Sequence, residues 1–172
     1  KSNRYFFYIG CTFGFGFFLF GNYWISISLT HDDAFKNLII FAVILIPLFL
    51  SFFFGAAIFI CGPFVQKKIY FILFFSSIFS LFEFIRGNIL TGFPWNLISY
   101  TWSWSINVTQ VLSLIGSYSL SLISITFFSI PFLFFQKKVF RENIIFVIFF
   151  LIIFTLNYFY GVYKNDKTDY KF

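Results

Sequence analysis

The sequence contains very little charge. Asp, Glu, Lys and Arg make up 10% of its 172 residues, against about 25% in soluble globular domains. Hydrophobic residues account for 60%, including 34 Phe. Because such a chain cannot cover itself with a solvated surface, the composition excludes an ordinary soluble enzyme and predicts an integral membrane protein.

Methionine and cysteine are also scarce. There is no Met, even at position 1, and we therefore expect the chain to be a fragment of a longer translation product. The two cysteines, Cys11 and Cys61, lie far apart in apolar runs, which favours neither a disulfide framework nor a metal-ligand spacing. The first apolar run, Tyr5–Leu29, is too long for the h-region of a signal peptide.

The usual signatures of soluble enzymes are missing. No G-x-S-x-G, H-E-x-x-H, P-loop or C-x-x-C motif occurs. His31 stands beside Asp32 and Asp33 in a trio able to hold a cation, but a solvated loop between helices is the favoured interpretation. The net charge of +6 forms no basic stripe, so nucleic-acid binding is not predicted. We expect no metal and no cofactor.

Five apolar windows are marked off by charges and turn residues. A helix needs about 20 mostly apolar residues to cross a bilayer. The windows are Tyr5–Leu29, Leu38–Gly62, Ile69–Ile85, Val108–Phe135 and Ile144–Tyr163. They predict an all-α integral membrane protein: a bundle of about five transmembrane helices, with a re-entrant or interfacial loop between the third and the fourth.

The distribution of Lys and Arg between the loops predicts the orientation, since cytoplasmic loops carry the excess. One side has seven: Lys1, Arg4, Lys67, Lys68, Lys137, Lys138 and Arg141. The other side has Lys36 and Arg86, apart from the lysines of the C-terminal tail, which we discount because a large exported domain translocates regardless of charge. The loop after the third helix and the tail are therefore predicted to face outward, toward the periplasm or the cell exterior.

Small residues recur at helical spacing in two windows. Gly10 and Gly14 lie four residues apart in the first, and the fourth carries Ser113, Ser117, Ser121 and Ser124 on one helical face. Small residues let membrane helices approach closely. Both patterns therefore predict helix packing and not catalysis.

The stretch EFIRGNILTGFPW, residues 83–95, places a carboxylate, a guanidinium, turn-forming residues and a Trp together in an otherwise apolar sequence. Glu83 and Arg86 are three residues apart and therefore neighbours on one helical face. Charges at membrane depth are unfavourable and usually mark function or a specific pairing. In the alternative interpretation, Arg86 only snorkels to the interface while Glu83 neutralises it.

The residues after Arg86 favour a shaped loop. Gly87 is suited to ending the helix, Gly92 permits a backbone turn, and Pro94 stiffens the chain before Trp95, a side chain typical of membrane interfaces. Non-helical backbone at this depth is tolerated only where protein or a water-filled cavity covers it. We predict a re-entrant or surface-lying loop that shapes a cavity opening outward.

The run EFIRGNILTGFPWNLISY closely resembles the signature of bacterial apolipoprotein N-acyltransferases, in which a Glu, an Arg-Gly pair, a Thr-Gly-Phe-Pro-Trp run and a Gly-Tyr pair follow in that order. Ser99 stands where the family commonly has the Gly before Tyr100. The run QVLSLIGSYSLSL resembles the family's next helix, with Gly116, Tyr118 and Ser121 matching. FGFGFFLFGNYWISISL resembles an earlier Gly-rich helix.

The resemblance implies an enzyme of the bacterial cytoplasmic (inner) membrane. Such enzymes move an acyl chain from a phospholipid donor, through an enzyme thioester, to the N-terminal amine of a diacylglyceryl-modified apolipoprotein. They join a helix bundle to a periplasmic nitrilase-like domain with a Glu, Lys and Cys triad. Residues 1–163 would be a partial bundle and residues 164–172 the start of the linker to that domain. The triad would lie beyond Phe172, so this fragment alone is expected to be inactive.

The resemblance also suggests where lipidated substrates enter. We expect a portal for substrate or lipid that involves Glu83, Arg86, Gly92, Phe93, Pro94, Trp95 and Tyr100, with Arg86 paired to Glu83 or contacting a lipid phosphate. Two other classes stay open at this point, a multi-pass transporter component and a non-catalytic membrane scaffold. Transporters usually place ionisable sites near the midplane, whereas Glu83 and Arg86 stand at a helix end.

Overall fold

The computed structural model describes residues 3–31, 33–66, 68–89, 94, 96–135 and 141–167, apart from the Phe35 side chain. Within these ranges the secondary structure is helical and no strand occurs. The α-helices are α1 (Asn3–Gly21), α2 (Trp24–Leu29), α3 (Ile39–Cys61), α4 (Ile69–Asn88), α5 (Ile106–Thr109), α6 (Leu112–Ser129) and α7 (Arg141–Lys167). Short 3₁₀ helices cover Asp33–Leu38, Gly62–Phe64, Ile98–Trp102 and Ile130–Phe135.

Four helical stretches in the described part of the chain are long and apolar enough to cross a membrane. They are Lys36–Phe64, Ile69–Asn88, Leu112–Phe135 and Arg141–Lys167. These stretches coincide with the second to fifth apolar windows of the sequence. The prediction of an all-α membrane protein is therefore confirmed.

The first window differs from the expected single span. The structure divides it into α1, of 19 residues, and the six-residue helix α2. α1 does not belong to the four long apolar stretches, although its length of about 28 Å approaches the thickness of a bilayer core. The break covers Asn22 and Tyr23 and follows Gly21, and both Gly and Asn are residue types that weaken helices.

The third and fourth windows also differ in detail. α4 does not end at Gly87 but continues to Asn88, whose Nδ2 donates to the Phe84 carbonyl at 2.7 Å. α6 is kinked at Gly116, which has φ 76° and ψ 168°, a left-handed backbone that favours glycine. Ser113 lies before the kink, so the four serines do not form one continuous face. Ser121 and Ser124, beyond it, are buried.

The chain forms two compact units. One contains Lys1–Val65 and Leu81–Asn96, and the other contains Gln66–Ser80 and Leu97–Phe172. The first unit is built on the packing of α1 against α3. A methyl group at Gly10 would lie 2.7 Å from the Gly55 Cα, and one at Gly14 would lie 2.8 Å from the Phe54 Cβ. The predicted packing role of these two glycines is confirmed.

In the second unit, amide side chains hold α5 against the last turns of α7. Gln110 Nε2 donates to Asn165 Oδ1 at 2.7 Å, Asn165 Nδ2 donates to Asn107 Oδ1 at 2.6 Å, and Asn157 Nδ2 donates to the Val108 carbonyl at 3.1 Å. We call these contacts of Gln110, Asn107, Asn157 and Asn165 the amide clamp.

Within the amide clamp, α5 and α7 are in close contact at Gly161. A Cβ at Gly161 would collide with the backbone carbonyl of Asn107, so α5 and α7 approach closely only because this position has no side chain. Asn157, Gly161 and Asn165 are spaced four residues apart and therefore share one face of α7. Lys164 extends the contact by donating from Nζ to Ser113 Oγ.

Candidate functional site

The last turns of α4 place two charged side chains inside the first unit. Glu83 and Arg86 each have a side chain that is 1% exposed. Arg86 Nη2 lies 3.8 Å from Glu83 Oε1, which is an ion-pair separation and longer than a hydrogen bond. The helix creates this pairing because residues three apart face the same side.

Phe18 from α1 supports the guanidinium. The Arg86 Cζ lies 4.8 Å from the centroid of the Phe18 ring, and Phe18 itself is fully buried. A cation over an aromatic face gains electrostatic energy when water is excluded. The Arg86 side chain is therefore buried between Glu83 and Phe18, and its contact with a lipid phosphate stays a prediction.

Two asparagine side chains form a hydrogen bond in the same unit. The sequence analysis did not single out either residue. Asn22 directly follows the last residue of α1, and its Oδ1 accepts a hydrogen bond from Asn96 Nδ2 at 2.9 Å. Asn22 is 3% exposed, and its own Nδ2 has no acceptor in the part of the chain that the structure describes. The signal available in the sequence was the Gly-Asn dipeptide at 21–22, a turn signal inside an apolar run.

The residues that follow the motif form hydrogen bonds with α6 in the second unit. The Ser99 N–H donates to Ser121 Oγ at 3.0 Å, and Trp102 Nε1 donates to Ser124 Oγ at 2.7 Å. The Trp102 ring also stacks on Phe128, with centroids 5.6 Å apart. The sequence predicted that the hydroxyls of these serines bridge between helices, whereas in the structure they accept hydrogen bonds from the segment that follows the motif.

The remaining residues of the predicted portal are described only in part. Pro94 is half-buried, and Tyr100 is 45% exposed in the 3₁₀ helix of the second unit. Gly92, Phe93 and Trp95 lie outside the described residues. The structure thus brings Glu83 and Arg86 together, while the association of the other five residues with them stays a prediction.

A metal site requires several ligand side chains close together. Within the described residues, no group of three His, Cys, Asp or Glu side chains is placed to hold an ion. His31 Nδ1 lies 3.1 Å from the Ile27 carbonyl, and Asp32 is outside the described ranges. Cys11 and Cys61 are free thiols.

Comparison with known proteins identifies the family. The sequence model of the Apolipoprotein N-acyltransferase N-terminal domain matches residues 1–130. The chain belongs to the apolipoprotein N-acyltransferase family. The matched region contains the ion pair of α4, the Phe18 ring beneath it and both asparagines, so the geometry described above lies within the family domain.

Curated apolipoprotein N-acyltransferases from several bacteria are similar to this chain. The protein of Rickettsia prowazekii is 43% identical over 130 residues, covering 75% of this chain and 26% of that protein. The protein of Rickettsia bellii is 40% identical over 131 residues, covering 76% and 26%. That of Rhizobium etli is 30% identical over 158 residues, covering 91% and 29%. The chain thus spans about a quarter of the length of these relatives.

No solved structure matches the chain. Membership of the apolipoprotein N-acyltransferase family therefore rests on the family domain and on the curated sequences. It favours the acyltransferase interpretation over a transporter component or a scaffold.

Proposed function

We propose that this chain forms the membrane part of an apolipoprotein N-acyltransferase. The enzyme would transfer an acyl chain from a phospholipid to the N-terminal amine of the diacylglyceryl-cysteine of a lipoprotein. The observation that carries the proposal is the buried pair of Glu83 and Arg86. Four residues separate this pair from the Thr-Gly-Phe-Pro-Trp run, in a chain that contains the family's N-terminal domain.

We assign no catalytic residue within residues 1–172. The family resemblance implies a Glu, Lys and Cys triad in a nitrilase-like domain, and we place none of its members in this chain. Cys11 and Cys61 both lie within apolar helices, and apolar surroundings disfavour the reactive thiolate form of a cysteine. The role proposed for this chain is therefore to admit and position substrates, not to form the thioester.

Both substrates carry acyl chains, so they must reach an extracytoplasmic active site sideways from the bilayer. We propose that the segment from Arg86 to Trp95 helps to form the floor of this portal. Gly92, Phe93 and Pro94 would shape its turn, while Trp95 and Tyr100 would hold it at the level of the lipid headgroups, where aromatic side chains are favoured. The Glu83–Arg86 pair would fix the end of α4 beneath it.

Loss of Trp95 tests the portal. In cells depleted of their own apolipoprotein N-acyltransferase, the complete open reading frame that contains this sequence should restore N-acylation of a reporter lipoprotein, measured by mass spectrometry of its N-terminal peptide. Trp95→Ala should lower the acylated fraction about tenfold or more, since small displacements of a substrate-positioning group have large effects on rate.

Trp104→Ala is the matched control, because Trp104 is 77% exposed and lies outside the motif. It should leave acylation near the wild-type level. Equal effects of the two substitutions would contradict a portal at Trp95. Failure of the unsubstituted reading frame to restore acylation, despite normal membrane levels, would contradict the enzymatic function and favour a transporter component or a scaffold.

The proposed location is the bacterial inner membrane, with the motif loop and the C-terminal tail toward the periplasm. Seven Lys and Arg residues in the opposite loops support it. Alkaline phosphatase, which is active only after export, should be active when fused after Tyr170 and inactive when fused after Lys138. The reverse pattern would overturn the orientation.

A further inference from the structure

The first turns of α1 and the last turns of α3 form an apolar groove that contains one cation. The groove is lined by Arg4, Phe7 and Tyr8 from α1 and by Ala56 and Phe59 from α3, and its volume is about 400 Å³. All five residues belong to the first compact unit. Volumes of about 300 to 1000 Å³ are typical of sites that bind small molecules. We call this feature the Arg4 groove.

Aromatic contacts fix the walls of the Arg4 groove. The Phe7 ring stacks on Phe52, with centroids 6.2 Å apart, and meets Phe59 edge to face at 6.4 Å. A Cβ at Gly62 would collide with the Phe6 ring, so the start of α1 lies directly against the end of α3. The groove is therefore a feature of the packed helices and does not depend on a loop.

The Arg4 groove lies near one end of a stretch long enough to cross the membrane. Phe59 precedes Phe64, the last residue of the apolar stretch Lys36–Phe64, by about 7.5 Å along a helix. Arg4 is the second residue of α1 and is exposed. Because the hydrocarbon core is about 30 Å thick, side chains this close to the end of a spanning helix lie near the lipid headgroups.

Arg4 gives the groove a charge that no carboxylate neutralises. Among the described residues, ion pairs join Lys36 to Asp33 and Arg86 to Glu83, and within the same ranges no carboxylate lies at ion-pair distance from Arg4. A guanidinium binds a phosphate through two parallel hydrogen bonds, and a cation near the membrane surface attracts anionic lipids. A phosphate group with an attached acyl chain therefore matches both the charge and the apolar walls of the groove.

Two other grooves in the described part of the chain lack such a charge. One lies along α1 between Thr12 and Gly21 and has a volume of about 620 Å³. The other lies along α7 between Ile148 and Leu156 and has a volume of about 230 Å³. No Lys, Arg, Asp or Glu lines either of them. Of these three grooves, only the Arg4 groove combines apolar walls with a cation.

We propose that the Arg4 groove binds an anionic phospholipid of the membrane leaflet in which Arg4 lies. The guanidinium of Arg4 binds the lipid phosphate, and one acyl chain lies against Phe7, Tyr8 and Phe59. Ala56 contributes only a methyl group, which leaves room for the chain between the larger side chains. The bound lipid contacts both helices and so stabilises the packing of α1 against α3.

The Arg4 groove and the motif contact opposite ends of α1. A Cβ at Gly21 would overlap the amide nitrogen of Asn96, which directly follows the motif, whereas Arg4 is about 26 Å from Gly21 along the helix. The lipid in the Arg4 groove is therefore not the acyl donor proposed for the portal. The inference does not depend on the proposed function.

Photo-crosslinking tests the lipid site. The complete open reading frame that contains this sequence is expressed with p-benzoylphenylalanine in place of Phe59, and the purified protein is inserted into vesicles made of equal amounts of phosphatidylglycerol and phosphatidylcholine. After irradiation, mass spectrometry identifies the molecules joined to position 59. Phosphatidylglycerol should exceed phosphatidylcholine about fivefold, as expected for one cation near an anionic lipid.

The matched control places the same photoreactive residue at Phe20, which lines the charge-free groove of α1 and is 80% exposed. The two lipids should be joined to position 20 in nearly equal amounts. Crosslinking at this position therefore reports the composition of the surrounding bilayer.

Two kinds of substitution separate the charge from the shape of the groove, each measured with the photoreactive residue at position 59. Arg4→Ala should reduce the ratio of the two lipids to about that at position 20, while Arg4→Lys retains the charge without the planar guanidinium and should keep part of the preference. Ala56→Leu retains Arg4 but fills the groove, so most of the lipid crosslinking at position 59 should be lost.

Several outcomes would overturn the lipid site. These are equal lipid ratios at positions 59 and 20, a ratio at position 59 that Arg4→Ala does not change, and a crosslink from position 59 to a protein segment in place of a lipid. The last result would show that another helix or a second copy covers the groove. If the unsubstituted protein shows no acyl transfer, the proposed function fails, and the lipid ratio at position 59 still decides the inference.

Discussion

Arg86→Ala should destabilise the protein by about 3 to 5 kcal/mol, because it leaves the buried Glu83 carboxylate without its cation. Both side chains are 1% exposed, so solvent offers little compensation. The substitution also removes the cation from the Phe18 ring. The measurement is denaturant-induced unfolding in detergent, followed together with N-acylation of a lipoprotein in cells.

A double substitution separates stability from function at this position. Replacing a buried ion pair by uncharged residues of similar volume is often neutral, so Glu83→Gln with Arg86→Met should recover most of the stability lost in Arg86→Ala. If the pair serves the portal, acylation should stay low in this stable variant. Arg86→Lys retains the charge without the planar guanidinium and should lose about 1 kcal/mol. Unchanged unfolding of Arg86→Ala would show that the pair does not stabilise the fold.

Gly161→Ala should destabilise the second unit by about 1 to 3 kcal/mol, the usual range for overpacking. The new methyl group would collide with the backbone carbonyl of Asn107, and no side-chain rotation relieves a collision with backbone. Relief therefore requires α5 to move away from α7, which breaks the hydrogen bonds of the amide clamp. Thermal unfolding in detergent and amide exchange in residues 105–113 measure the two effects.

Gly16→Ala in α1 is the control for this substitution. Nothing lies within 4 Å of a Cβ at Gly16, so the change should stabilise the helix by about 0.5 to 1 kcal/mol through reduced backbone entropy in the unfolded chain. Opposite signs for the two substitutions are expected. Equal destabilisation at both positions would show that the close contact of Gly161 with Asn107 has no special role.

Hydropathy was sufficient to predict the long membrane helices because charged and turn residues separate them cleanly. It failed at Asn22 and Tyr23, since the apolar run continues through α2 and an average over about 20 residues conceals a two-residue break. It also failed at Gly116, because a glycine in a membrane helix is compatible with either a straight or a kinked backbone. The positive φ there follows from tertiary context that the sequence does not display.

The site was predictable where its contacts are local. Glu83 and Arg86 pair because they are three residues apart on one helix, and their spacing alone predicted that they would be neighbours. The contact of Asn22 with Asn96 joins distant segments, so no periodicity in the sequence reports it. Ser121 and Ser124 were correctly placed inside the bundle, but their hydrogen-bond donors come from the loop after the motif.

Gly161 has a geometric consequence at the end of the last helix. The amide clamp forms hydrogen bonds to one face of α7 at Asn157 and Asn165. These hydrogen bonds oppose rotation of the helix about its own axis. The position of Lys167 around the axis of α7 is therefore fixed. One residue inserted between Gly161 and Lys167 would rotate Lys167 about this axis by about 100°. The absence of a side chain at Gly161 thus sets which face of the last turns of α7 lies against α5.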